Sequence, residues 1–401
     1  MRDVAVVGVG AHDWGVFPDR SMPEMAVEAI ADALADSRLD WRDIEAIVAG
    51  SYLWNAQREG LFALLSGAPI AALMGNTGVP IVNCTNASAT GTTLLREAVI
   101  TVASGQHDVV LAVASDKSAG GLFTPLSADE RFDEDRIRWV STGVINPAYW
   151  AMECRRRMHE LGTTDRDLAL AKVATGPAAK RNPKARFRRE FTVDDVFASP
   201  MVADPLHLLE ICATSDGAAA VIVVSGDVAR RLDAQPVWIK AIALASRTFG
   251  DPSIRTPTLG AQGRPGVPAL SEAHNCLAQL WRASGLHPGG IDIFELPDNS
   301  SWHYLTYLDL VLGAKPGTAE RLVREGQTDP LTGRVPVCPG GGASGSGEAV
   351  LAQGLLQVHE LVTQLRGQAG DRQVPGDPAT ALAMTYGYLG NNAGCILSTE
   401  N

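Results

Sequence analysis

Short β-branched runs alternate with longer stretches of helical spacing along the chain, an alternation that predicts an α/β protein. Residues 3–10 (Asp3-Val4-Ala5-Val6-Val7-Gly8-Val9-Gly10) form an apolar run ending in glycines, residues 24–37 carry apolar positions at helical intervals, and residues 43–48 return to a strand. The same β-α-β grammar recurs with a strand at 236–243, a helix at 271–284 and a strand at 291–295. Placing Ser37 on Ser284 puts Leu39 on Leu286 and Ile44 on Ile291 at one constant offset, so the recurrence is in phase. Each half continues with a short strand (80–83 and 334–337), a turn of small residues, an amphipathic helix (near 88–104 and 348–366) and a final strand (108–114 and 379–384). The expectation is a duplicated unit with halves 1–235 and 236–401. Residues 118–210, with mixed helical patterns, charge runs and a Pro/Asn-rich stretch, are expected to be an insertion lying over the first half.

Composition narrows the class. The 401 residues exceed one ordinary core, and 46% hydrophobic with 20% charged residues describes a globular chain rather than a disordered one. A net charge of −11 argues against nucleic acid or an anionic membrane as the main partner, because phosphate binding needs clustered cations. The six cysteines (Cys84, Cys154, Cys212, Cys276, Cys338, Cys395) are scattered, with no C-x-x-C pair and no histidine at metal-ligand spacing. They read as free thiols of a cytoplasmic protein without a bound metal. The N-terminus opens directly into a strand pattern, and no apolar run reaches the roughly 18 residues of a membrane span.

Two motifs bear on chemistry before any family is considered. Val7-Gly8-Val9-Gly10 follows a first strand as a dinucleotide fingerprint does, but Asp13 stands where its third glycine belongs, so a nicotinamide site is not expected. Lys180-Arg181-Asn182-Pro183-Lys184-Ala185-Arg186-Phe187-Arg188-Arg189 is either a solvated charge run or an electrostatic seat for phosphates.

Several segments, in order over nearly the whole length, resemble the thiolase superfamily, specifically its sterol-carrier or lipid-transfer type. Cys212-Ala213-Thr214-Ser215-Asp216-Gly217-Ala218-Ala219-Ala220 is similar to that family's C-P-x-S-D-G-A-A-A, and Val337-Cys338-Pro339-Gly340-Gly341-Gly342 to its V-N-P-S-G-G. Residues 364–376 (QLRGQAGDRQVPG) are similar to its Q-L-R-G-E-A-G-x-R-Q-V-P-G. The resemblance implies a thiolase fold of two duplicated α/β halves in a five-layered αβαβα arrangement, with a loop insertion in the first half.

The family's catalytic elements do not carry over unchanged. Its nucleophilic cysteine lies in N-x-C-A-T-G, and the similar segment here, Asn86-Ala87-Ser88-Ala89-Thr90-Gly91, has Ser88 in that place. Cys84, four residues earlier, is the alternative nucleophile. The family's H-D-C-F element is replaced by Pro297-Asp298-Asn299-Ser300: the aspartate is kept, and Asn299 stands in for the acid/base cysteine. Its G-H-P histidine falls on Glu348, reached both by counting eleven residues forward from Val337 and sixteen back from Gln364. Glu348 is either a general base raised toward neutrality by burial or a glutamate favoured at a helix N-terminus.

A serine without histidine lacks the proton relay for acyl transfer, so ordinary thiolysis or Claisen condensation is not expected. The superfamily also includes members, the steroid side-chain aldolases, that cleave a β-hydroxyacyl-CoA by retro-aldol reaction without the cysteine. The resemblance therefore implies a C–C lyase with Glu348 as base and Ser88 as donor, supported by Asp298 and Asn299. Tyrosines expected in those aldolases are here Pro297 and Glu348; Tyr304 and Tyr307 lie further on, where an aromatic is more often core. The alternatives are a non-catalytic, lipid-CoA-binding subunit paired with an active homologue, and an acyltransferase using Cys84. Coenzyme A would enter as part of the substrate, with no tightly bound cofactor. Its nucleotide end would meet Lys180, Arg181, Lys184 and Arg186, with Gly341 and Gly347 allowing close approach of the thioester arm. The family implies a homodimer, or a heterocomplex with a small OB-fold, zinc-ribbon protein or a thiolase homologue.

Overall fold

A computed structural model describes residues 2–50, 64–117, 146–232, 234–251, 264–387 and 390–401. The first half runs β1 (Val4–Ala11), α1 (Met22–Ser37), β2 (Ala46–Gly50), α2 (Gly67–Met74), β3 (Ile81–Cys84), α3 (Thr90–Ala103) and β4 (Val109–Asp116). Ser21 starts α1 with a capping box, its hydroxyl accepting from Glu24 N–H while the Glu24 carboxylate reaches back to Ser21 N–H. The described part of the insertion holds α4 (Asn146–Leu161), α5 (Asp165–Arg181), α6 (Val193–Ala198) and a small hairpin, β5 (Met201–Ala203) with β6 (Leu206–His207). Residues 118–145 of the expected insertion lie outside the described residues. β7 (Gly217–Ser225) then returns to the sheet.

The second half runs β8 (Val237–Ser246), α7 (Ser271–Ser284), β9 (Ile293–Glu295), α8 (Ser301–Val311), α9 (Thr318–Arg324), α10 (Gly342–Ser346), α11 (Gln353–Leu365), β10 (Thr380–Gly387) and β11 (Asn391–Ser398). Among the described residues nine strands form one continuous sheet in the order β3-β2-β4-β7-β1-β8-β11-β10-β9. It is continuous because β1 and β8 pair antiparallel at Ala5 with Trp238 and Val6 with Val237. On either side of that junction the order mirrors: β1-β7-β4-β2-β3 faces β8-β11-β10-β9, and an isolated parallel bridge from Phe294 to Val337 marks the missing fifth position.

Three apolar clusters define the layering. One joins α3 and α11 to the inward faces of both half-sheets, through Leu94, Val102, Leu355 and Leu361 against Val110, Val221, Ala381 and Leu397. A second packs Met25, Ile30 and Ile70 of α1 and α2 on the outer face of the first half-sheet. The third packs Leu277, Leu280, Leu305 and Leu308 of α7 and α8 on the outer face of the second. The stacking is helices, half-sheet, two central helices, half-sheet, helices, as a thiolase fold requires.

Three features differ from the sequence expectation. Each half contains a further strand, β7 or β11, that the hydrophobic pattern does not announce; both are buried along almost their whole length, so they lack the alternation that marks a half-exposed strand. The strand expected at 334–337 is reduced to the Val337 bridge, because Pro336 has no N–H to donate and contributes only its carbonyl, to Phe294 N at 3.0 Å. The helix expected from 348 begins at Gln353, after a turn. Among the described residues no helix is long and apolar enough to cross a membrane.

Candidate active site

Strand and turn geometry brings four segments together at one point. Ser88 sits in the turn between β3 and α3, two residues before the helix begins. Ala87 beside it is held at φ 47°, a left-handed conformation unusual for a residue with a Cβ. Glu348 lies in extended backbone that pairs in parallel with Thr214: Glu348 N donates to Ala213 O at 2.7 Å and Ser215 N to Glu348 O at 2.9 Å. Cys212 N donates to Asn299 O at 2.9 Å, which brings the 297–300 segment alongside. Glu348 is therefore no helix N-terminal glutamate, and stabilisation by the dipole of α11, which starts five residues later, does not account for it.

The side chains converge where the backbones meet. Ser88 Oγ donates to Glu348 Oε1 at 2.5 Å, Cys212 Sγ–H donates to Glu348 Oε2 at 3.7 Å, and Asn299 Nδ2 donates to Cys212 Sγ at 3.9 Å. Burial raises the Glu348 pKa above the ordinary carboxylate value, opposed by the hydrogen bonds from Ser88, Asn299 and Cys212. Burial also pushes the Cys212 thiol well up, with Glu348 and Asp298 adding to the effect. The outcome is a carboxyl and a thiol in contact, each holding its proton more tightly than it would in water.

The other expected residues are placed differently. Asp298 caps α10, accepting from Ala343 N at 2.7 Å and Ser344 N at 3.0 Å. Burial pushes its pKa up to about 6. Gly341 and Gly347 bound α10 at φ 94° and 75°. At Gly347 a Cβ would overlap Ser215 Oγ, so the glycine lets the Glu348 strand lie flush against Ser215. Cys84 ends β3 and packs against the central cluster; burial, then Glu97, raises its thiol pKa, the direction opposite to a reactive thiolate.

Much of the basic run is engaged within the chain. Lys180 pairs with Glu190 at 3.1 Å, Lys184 with Asp32 at 3.4 Å and Asp13 at 3.5 Å, and Arg181 donates to Pro177 O at 2.9 Å. Arg186 turns inward to the Thr214 carbonyl and to Ser215 Oγ at 3.3 Å, directly behind the Glu348 pairing.

Two residues of the site were not singled out from the sequence. Cys212 was visible there only as the first letter of a fold signature. Lys172 is a lysine on the buried face of α5, and its Nζ donates to Ser344 O at 2.7 Å and Ser344 Oγ at 2.8 Å. Burial brings its pKa down to about 8, against the pull of Asp298. Its signal in the sequence was a single cation among Leu168, Ala171 and Thr175, positions that face the core.

With this geometry in view, comparison with known proteins defines the class. Residues 267–399 match the family model described as Thiolase C-terminal domain-like. Over 393 residues the chain is 34% identical to an acetyl-CoA acetyltransferase of Methanothermobacter thermautotrophicus, covering 97% of each. It is 32% identical to the 17-hydroxy-3-oxo-4-pregnene-20-carboxyl-CoA lyase of Mycobacterium tuberculosis, covering 90% of this chain and 91% of that one. The solved Ltp2-ChsH2(DUF35) aldolase superposes with a TM-score of 0.83 at 26% identity, over 99% of this chain and 97% of that one. The chain belongs to the thiolase superfamily, whose members in this comparison include both acyl-CoA acyltransferases and acyl-CoA lyases.

Proposed function

We propose that this protein binds an acyl-CoA thioester and cleaves a β-hydroxyacyl-CoA by retro-aldol reaction, without a covalent cysteine intermediate. The observation that carries the reading is the buried Glu348 carboxylate bonded to Ser88 Oγ at 2.5 Å, where the thiolase resemblance places an imidazole and a thiolate. A carboxylate whose pKa burial has raised is a better base than an ordinary one, and general-base assistance is worth roughly 10²–10⁴ in rate. Glu348 accepts the β-hydroxyl proton, directly or through Ser88 Oγ. The Cα–Cβ bond breaks, Cβ becomes a carbonyl, and the electron pair passes into the thioester as an enolate. Relatives named as a steroid-CoA lyase and as an aldolase support this direction. The second of these is a complex of two named components, which supports a heterocomplex here as well.

The acyltransferase reading has support in the 34% identical acetyltransferase, but it needs a thiolate. The raised pKa of Cys84 and its place at the end of β3 weigh against that residue. The test is intact-protein mass spectrometry with acetyl-CoA and with a β-hydroxyacyl-CoA. Release of a ketone or aldehyde with no adduct is expected, lost in Glu348→Gln and largely retained in Cys84→Ala. A thioester adduct on Cys84 overturns the lyase reading in favour of acyl transfer. Turnover seen only after mixing with a homologous subunit would favour a non-catalytic role.

A further inference from the structure

The lyase reading leaves one step without a residue. The departing enolate must receive a proton at its α-carbon, and the base that took the hydroxyl proton must be returned to its starting state. We propose that Cys212 is the general acid of this site and that its contact with Glu348 closes the proton cycle; the proposal rests on the lyase reading.

The geometry supplies each link. Cys212 Sγ contacts the Glu348 oxygen not bonded to Ser88: Oε1 receives Ser88 at 2.5 Å, and Oε2 receives Cys212 at 3.7 Å. The carboxylate thus takes a proton on one side and exchanges one on the other. Asn299 Nδ2, 3.9 Å from Sγ, is placed to donate to the sulfur as negative charge develops on it. The backbone bond from Cys212 N to Asn299 O fixes the sulfur at that distance. Cys212 also borders a small cavity of mixed polar and apolar lining, with Lys172, Asp298 and Ser344 among its polar residues and Leu209 and Ile211 among its apolar ones.

The protons balance. Glu348 carboxylate takes the β-hydroxyl proton as the Cα–Cβ bond breaks. The Cys212 thiol gives its proton to the enolate carbon and becomes a thiolate. The Glu348 carboxylic acid then returns its proton to that thiolate, so both groups regain their starting forms and no oxidant, reductant or extra proton is consumed. The first transfer is uphill and is driven by the concerted breaking of the Cα–Cβ bond, whereas the two that follow run downhill: a thioester α-carbon holds its proton more tightly than a thiol, and a buried thiolate beside a carboxyl accepts a proton readily. Asn299 alone cannot perform this step, because a neutral amide has no proton to give at these pH values.

The full chain is assayed with 3-hydroxy-3-methylbutanoyl-CoA, whose cleavage gives acetone and acetyl-CoA, and with acetyl-CoA in D2O, where hydrogen exchange at the methyl group reports the acid step in reverse. Cys212→Ala is expected to lower kcat for cleavage and the exchange rate by about 10²-fold or more, leaving KM near the wild-type value. Cys212→Ser, which keeps the shape of the site, is expected to be slow as well, since a hydroxyl holds its proton more tightly than a thiol. Wild-type-like rates in either variant, while Glu348→Gln is inactive, overturn the role of Cys212 and leave the lyase reading standing. A raised KM with unchanged kcat also overturns it. If the wild-type chain neither cleaves nor exchanges, both readings fall together.

Discussion

Replacing Gly347 by alanine tests whether the approach of the Glu348 strand to Ser215 fixes the site. Gly347 has φ 75° and ψ 174°, a region open essentially to glycine alone, and forcing another residue there costs about 1–3 kcal/mol. The added Cβ would overlap Ser215 Oγ and come within 2.9 Å of Ala213 O, a crowding worth a further ~1–3 kcal/mol. The sum, about 2–6 kcal/mol, is a large share of a typical net stability of ~5–15 kcal/mol. With an unfolding entropy of ~2 cal/mol/K per residue, it corresponds to a fall in Tm of roughly 2–7 °C for a chain of this length. The assays are thermal and urea unfolding of Gly347→Ala, Ser215→Ala and the double variant. Ser215→Ala alone loses the bond from Ser215 Oγ to Ser346 O (2.7 Å), worth about 1 kcal/mol, but in the Gly347→Ala background it removes the overlap. The two changes should therefore couple by about 1 kcal/mol or more, with the double variant more stable than their sum. A wild-type Tm for Gly347→Ala, or strict additivity, would refute the reasoning.

Other outcomes follow from the buried charges. Glu210 has a folded pKa pushed up to about 7 from 4.5 by burial, despite the hydrogen bond from His207 N. A raised carboxyl pKa means the folded state holds its proton longer than the unfolded chain, so Glu210 costs stability progressively as pH rises from 4.5 through 7. Glu210→Gln should gain on the wild type across that window, by about 3 kcal/mol at pH 8; a pH-independent difference would contradict this. Arg157 joins α4 to α8 and α9 through Glu320 (2.7 and 2.8 Å) and Asp309 (2.6 Å), all buried. Arg157→Met strands two carboxylates and should cost about 3–5 kcal/mol in urea unfolding, whereas an exposed pair such as Arg321–Glu325 should change stability by under ~1 kcal/mol. Glu348→Gln should be no less stable than wild type at neutral pH while losing activity, because burial disfavours its charged form; equal losses of both would reduce Glu348 to a structural role.

The sequence by itself determined the layers and their repetition. The phase relation of Ser37 with Ser284 and the recurring strand, helix, strand pattern depend on local periodicity, which the chain carries wherever one face is buried and the other is not. Through the thiolase resemblance it also set Ser88 on that family's nucleophile position and Glu348, by counts from Val337 and Gln364, on its histidine position, and the structure brings the two side chains into contact at 2.5 Å. The strands β7 and β11 escaped that reading, since burial on both faces erases periodicity. Glu348 could be read as base or helix cap until the pairing with Ala213 and Ser215 removed it from the helix. Asp298 proved to be a helix cap, and Cys212 and Lys172 entered the site from segments 136 and 176 residues away from Glu348 along the chain. Contacts of that kind are made by strand pairing and burial between distant segments, and no local pattern encodes which side chain a fold will bring within 4 Å of another.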